Sequence, residues 1–346
     1  MQADWQAHLA TQQATIREGK VLDFGQADEE LQAVNGNLIT DLSHYGLISA
    51  EGADTQAFLQ GQFSNDVRLV TAEKSQLSAY CSPKGRILTS FRLFYLKDKY
   101  YLQMPLPLLK QTLKRLRMFV MRSQVTLVDD SEQMARMGLA GPDSEQYLRD
   151  IGLNYPVDVD AASLNGNVLI LRVPGTIPRF EIHGPASELI SLWDKLATKT
   201  TPVGANVWSL LDIQTGLPVI QSQTVESFVP QMVNLELING VSFKKGCYPG
   251  QEIVARMQYL GKLKKRMYRA HIATDDTIQP GDDLYSGKSD NTQSIGNIVN
   301  AQPSPAGGYE ALAVIQITEA EQGEVRWGSK NGSILEINEL PYSLSA

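Results

Sequence analysis

The sequence predicts an α+β protein that ends in a small β-rich domain. Three observations carry that reading. Short apolar strands alternate with amphipathic helices from the N-terminus to about residue 213. From Arg266 onward the pattern changes to short β-type runs between Gly, Pro, Asp and Asn clusters, as in a barrel. Finally, 346 residues with 42% hydrophobic and 20% charged side chains suffice for two or three ordinary cores. The expected division is two α+β subdomains, 1–135 and 136–262, and a β-barrel over 263–346.

The elements follow in order. Residues 1–35 read as a leading helix and a loosely patterned segment, closed by the turn signal Asn35-Gly36-Asn37. Residues 38–41 and 46–50 read as strands. A glycine turn at Gly52 then leads into an amphipathic helix carrying Phe58 and Leu59. The same strand–glycine–helix grammar returns at Gly141 and Gly184, at irregular spacing, so the chain is no solenoid. Three ordinary strand–helix turns would read the same way. Residues 77–80 and 87–96 are strand-like, and Lys97-Asp98-Lys99 turns a hairpin into 100–104. Residues 105–120 form a helix with Leu109, Leu113 and either Leu116 or Phe119 on one face. Residues 124–128 make a strand, and 165–173 with 179–183 a hairpin around Pro174-Gly175. Helices follow after Ser187, through Leu192 and Trp193, and over 202–213 with Trp208. Beyond Arg266 come β runs at 267–272, 295–299, 311–317 and 333–337.

Composition narrows the function. No apolar run approaches the ~20 residues that span a bilayer, and Met1–Lys20 lacks the basic start and apolar centre of a secretory signal. Two distant cysteines, Cys81 and Cys247, and four scattered histidines match no zinc or cluster spacing. The expectation is a cytoplasmic chain with free thiols, no metal site of its own and no membrane contact. The net charge of −7 argues against a dedicated nucleic-acid binder. The distribution is uneven, however. Between Lys244 and Arg269 eight basic residues face one acid, Glu252, giving +7 against −14 elsewhere. A second run, Lys110 to Arg122, holds five basic residues and no acid. Such runs suit an anionic ligand such as a phosphate, a polycarboxylate tail or RNA, or simply a solvated face.

The densest chemistry lies in Phe243 to Glu252. Gly246 and Gly250 allow positive φ or close backbone approach. Pro249 suits the first position of a helix running through Gln251, Glu252 and Ile253. Cys247 and Tyr248 then sit beside a helix N-terminus, with Lys244 and Lys245 close by. Both features favour a thiolate at Cys247. An inert cysteine packed in a glycine-containing loop is the alternative.

These residues carry a family resemblance. Lys245-Gly246-Cys247-Tyr248-Pro249-Gly250-Gln251-Glu252 resembles the K-G-C-[YF]-x-G-Q-E signature of the folate-binding YgfZ-type proteins, relatives of the aminomethyltransferase of glycine cleavage. Similar stretches extend it over nearly the whole chain: Leu59 to Gln62 before Asn65-Asp66, Lys84-Gly85-Arg86, Gly216 to Pro218, Phe228 to Gln231 before Asn234, and Leu340 to Leu344. The resemblance implies a multi-domain aminomethyltransferase-like fold closed by a C-terminal β-barrel. It implies folate, as tetrahydrofolate or a derivative, as the cofactor. It also implies a role in tRNA modification, in support of iron–sulfur enzymes that thiolate tRNA or of cluster assembly proteins. The family's folate-associated aromatic pair falls on Trp208 and on Tyr45, where tryptophan is usual. Trp208 also reads as a core residue of an amphipathic helix. Lys84 and Arg86 are candidate contacts for the anionic folate tail, and Cys247 is the candidate functional thiol.

Two departures from the aminomethyltransferases matter. Their strand after the Lys-Gly pair carries a catalytic Asp, where this chain continues Ile87-Leu88-Thr89-Ser90. They also tend to place Asp where Cys247 stands. Without a carboxylate there, general acid–base help is lost, so folate binding without aminomethyl transfer is expected. Two other functions remain open. One is a one-carbon transferase using Asp66, Glu181 or Glu252. The other is a direct tRNA-binding module using residues 244–269, with Lys264 and Lys265 as contacts.

Overall fold

The structure, a computed structural model, describes residues 1–288 and 293–344. The chain divides into two compact units, each assembled from separated segments.

The first unit comprises Met1–Phe58, Val67–Gln76 and Arg92–Leu211. Its larger sheet has the strand order Ala162–Asn165, Val168–Val173, Arg179–Gly184, Ala135–Ala140, Leu38–Asp41, Thr201–Val203. All neighbours are antiparallel except the last pair, which is parallel. The apolar face of this sheet packs under the helices Ala3–Thr11 and Ala186–Ala197. Trp5, Leu9, Met137, Phe180, Ile182 and Trp193 share that core. Trp5 and Trp193 meet edge to face, with ring centres 5.5 Å apart. The second sheet of this unit pairs 92–96 with Lys99–Pro105, then Tyr45–Glu51, then Thr126–Asp129. Its hairpin turns at Lys97 and Asp98, both with positive φ, as a tight hairpin requires. The helix Leu106–Met118 buries Leu109, Leu113 and Leu116. Phe119 lies past the helix end and is 45% exposed, so Leu116 completes the buried face.

The second unit comprises Leu59–Asp66, Leu77–Phe91 and Asp212–Ala346. Its sheet runs Val325–Trp327, Asp283–Ser286, Gly296–Pro303, Tyr309–Gln316, Lys265–Ile272, Leu335–Asn338. Every pairing is antiparallel. The sheet curls until its two edges approach, with an isolated bridge between Arg326 and Ile334. This is the expected β domain in half-barrel form, with Ile272, Leu284, Ile298, Ile315 and Leu335 inside.

Several short elements carry too little periodicity to be read beforehand. The hairpin Thr15–Arg17/Lys20–Asp23 and the strand Thr201–Val203 have only three or four residues per strand. Pro202 sits in an edge strand, where a missing amide costs no central ladder bond. Among the described residues no helix is long and apolar enough to cross a membrane.

Candidate functional site

The chemistry-bearing residues form two clusters, one in each unit. In the first unit the strand Arg179–Gly184 alternates. Phe180 and Ile182 enter the apolar core, while Arg179, Glu181 and His183 point the other way. That second face is buried as well. On the adjacent strand Gly138 stands opposite Glu181, and Arg136 opposite His183. The Trp208 ring rests on Gly138 so closely that a Cβ there would lie 2.6 Å from its Cζ3. The Arg179 guanidinium sits 4.2 Å from the Trp208 ring centre, a desolvated cation–π contact. Trp208 is 0% exposed, and its indole N–H has no hydrogen-bond acceptor among the described residues.

Glu181 is the ionised centre of this face. Its Oε2 accepts from Gln103 Nε2 at 2.8 Å and lies 3.9 Å from His183 Nε2. Burial alone would raise its carboxyl. The His183 ring, the Arg92 charge and the Gln103 amide outweigh that and hold it below the ordinary value. Burial pushes His183 down despite the Glu181 carboxylate. Arg92 itself is anchored by Asp160 at 2.6 Å and Ser75 at 3.0 Å. Tyr45, 9% exposed, packs its ring against His44, with centres 4.2 Å apart. Burial, with the charges of Lys20 and Arg136, pushes His44 down to about 3. Sequence reading named Trp208, Tyr45 and Glu181 but missed Arg179, His183, Gln103 and Arg136. The available signal was the charged–apolar alternation Arg179-Phe-Glu-Ile-His183, which resembles a solvated strand face.

The second cluster is the Lys245–Glu252 motif. The buried Lys245 ammonium donates to three main-chain oxygens, of Gln60 at 2.7 Å, of Asn65 at 2.9 Å, and of Phe63. It also lies 5.2 Å from the Tyr248 ring centre. Lys245 therefore fixes the loop rather than activating the thiol as a free cation. Gly250 caps the helix Gln251–Tyr259 at φ +81°. A Cβ there would lie 2.5 Å from the Ser82 oxygen and 2.6 Å from Gly85 Cα, so the Lys84-Gly85-Arg86 turn and the motif meet through glycines. Pro249 consequently precedes the cap and is not the first helical residue; the positive φ of Gly250 sets the start. Gly246 needs neither positive φ nor space, since nothing lies within 4 Å of a Cβ built there.

Between those two anchors Cys247 is exposed, while Tyr248 is buried. Burial pushes the Tyr248 phenol up, and pushes the buried Cys81 thiol up to about 12. Gln251 is half-buried, and Glu252 is exposed on the helix. Lys84 is exposed, whereas Arg86 donates to the Ser227 carbonyl. Asp66 is buried in a turn whose amide bonds Asn65 Oδ1. Asn65 also bonds the Leu77 and Asn239 carbonyls, at 2.8 and 2.6 Å. On the strand after Gly85, the Thr89 hydroxyl reaches the Ser90 carbonyl and the Ser90 hydroxyl that of Pro218. Among the described residues no three His, Cys, Asp or Glu side chains come together as a metal-binding group.

This arrangement defines a class of protein. The family profile described as the GCVT N-terminal domain matches residues 20–245. A solved aminomethyltransferase T of the glycine cleavage system from Bartonella henselae superposes with a TM-score of 0.77 at 18% identity. It covers 97% of this chain and 96% of that one, and so shares the fold. The chain is 31% identical over 311 residues to the tRNA-modifying protein YgfZ of Colwellia psychrerythraea, covering 89% of this chain and 94% of that protein. The YgfZ protein of Yersinia pseudotuberculosis is 29% identical over 307 residues, covering 89% and 93%. The chain belongs to the YgfZ-type branch of the GCVT-domain family.

Proposed function

We propose that the chain is a folate-binding factor of tRNA modification that serves iron–sulfur enzymes thiolating tRNA, with Cys247 as its working thiol. The observation that carries the folate part is Glu181, a buried carboxylate held ionised on a face that also offers Trp208. A carboxylate of this kind accepts two parallel N–H bonds, which is what the aminopyrimidinone edge of a pterin donates. Trp208 offers a ring face and a donor N–H without an acceptor among the described residues. The side chains therefore fit a folate head. Because Arg179 now covers the Trp208 ring, a stacked ligand requires the guanidinium to move aside. Folate, when bound, supplies one-carbon chemistry. The chain's own residues bind and orient it.

The names of the YgfZ relatives support the tRNA role. The exposure of Cys247 between two fixed points supports a thiol presented to a partner. Titration calorimetry with tetrahydrofolate under anaerobic, reducing conditions tests the first half. Saturable binding that survives Cys247→Ala and is lost in Glu181→Gln is the expected result. An absence of heat removes folate from the account. For the second half, Cys247→Ala is expected to leave thiolated tRNA depleted in cells relying on this chain. Wild-type levels would remove the thiol's role.

A further inference from the structure

We propose that the end of the helix Gln251–Tyr259 and the segment after it form a docking surface for an unpaired stretch of RNA. The inference rests on the tRNA reading above and deepens it by naming the surface. The basic segment 244–269 does not act as one patch. Lys245 is consumed by three carbonyls, Arg266 pairs with Glu236 at 2.8 Å, and Arg269 lies 3.3 Å from Glu310. Lys265 is half-buried in a strand. Four cations remain exposed and without an ion pair among the described residues: Lys244, Arg256, Lys262 and Lys264.

In the chain these four flank an aromatic pair. The rings of Phe243 and Tyr259 meet edge to face at 5.9 Å, which brings Lys244 to the helix end. Arg256 lies one turn before Tyr259 on that helix. The chain folds back there, Leu260 and Gly261 both donating to the Arg256 carbonyl, at 2.9 and 2.8 Å. Lys262 and Lys264 follow directly. Tyr259 is 68% exposed and Leu260 85%, so two large apolar groups stand in solvent beside these cations. The rest of the chain carries −14, although the run Lys110 to Arg122 is also basic, so the net charge outside these two runs disfavours a polyanion. Cations alone would fit any polyanion. Cations around an exposed ring select an anion with stackable bases, and base–aromatic stacking works best on unpaired nucleotides.

The test is fluorescence anisotropy of a labelled single-stranded RNA of mixed sequence, with the full chain, across a salt series. Four phosphate contacts predict a slope of log affinity on log salt of roughly −3. Lys262→Ala with Lys264→Ala should halve that slope. Tyr259→Ala should weaken binding about tenfold while leaving the slope intact. A duplex of the same length should bind more weakly. A slope near zero, or a silent Tyr259→Ala, overturns the proposal. So does displacement of the RNA by polyglutamate or by anionic vesicles at equal charge, which would mark a mere polyanion surface. If the double variant loses its folded thermal transition, the wild-type slope and Tyr259→Ala decide alone. Tetrahydrofolate titrated into the same proteins separates the two readings: folate binding kept while RNA binding is absent sinks only this surface.

Discussion

Lys245 and the two glycines of the motif show how identical letters take different roles. An ammonium shared by three buried carbonyls has no neutral substitute, and each charged hydrogen bond contributes about 1.5–3 kcal/mol. Lys245→Ala should therefore lower stability by about 3 kcal/mol or more in urea unfolding. Lys245→Arg should rescue little, since a planar fork does not match three convergent oxygens. Gly250→Ala combines a left-handed backbone with a Cβ 2.5 Å from Ser82 O. It should cost about 2 kcal/mol or more, whereas Gly246→Ala should stay within about 0.5 kcal/mol. The sequence marked both glycines as special, because only the packed backbone reveals which one is confined. His44 carries a pH signature. Its folded value of about 3 lies below the ordinary 6.5. The unfolded chain thus binds the extra proton between those limits. Stability is full above about pH 6.5 and drains as pH falls towards 3. Between pH 7.5 and 5 the wild type should lose about 2 kcal/mol more than His44→Gln in urea unfolding, since His183, which burial also pushes down, contributes to both proteins. The charges of Lys20, Arg136 and Glu181 act on the ring in both measurements.

The strand Arg179–Gly184 is the element on which the folate reading turns. The sequence reads 179–183 as one strand of a hairpin, and the alternation Arg179-Phe-Glu-Ile-His183 stands in its letters. That the charged face is equally buried was not legible, because an isolated strand does not state what covers its other side. Gly138, Trp208 and Gln103 come to that face from positions 35 to 105 residues apart in the chain. Glu181→Gln keeps the side chain's shape and removes its charge. It should leave far-ultraviolet circular dichroism unchanged and cut tetrahydrofolate affinity at least tenfold. Since the Glu181 carboxyl sits below its ordinary value, wild-type affinity should stay flat from pH 8 down to about 5. The helix Gln251–Tyr259 teaches the converse lesson. Its existence was readable from Gln251 onward, and its start was displaced because a cap made by left-handed Gly250 won over the preference of Pro249 for the first turn.

For the molecule as a whole, the α+β body and the β-rich end were legible because they rest on long-range composition and periodicity. The discontinuity of the two units has no local signature: Leu59–Asp66 and Leu77–Phe91 join Asp212–Ala346 through contacts such as Lys245 with Gln60 and Gly250 with Gly85. The charge segregation was visible, but not which cations had been neutralised internally. Cys81 is sealed inside the second unit, and Cys247 stands open to solvent. A maleimide should therefore count one thiol per native chain and two in urea. The labelling rate of the second thiol becomes a clock for how often this unit opens. A mass spectrum taken at intervals would read that clock directly, without any added dye or engineered residue. A native chain that takes up two labels at equal speed would show that the seal over Cys81 does not exist in solution.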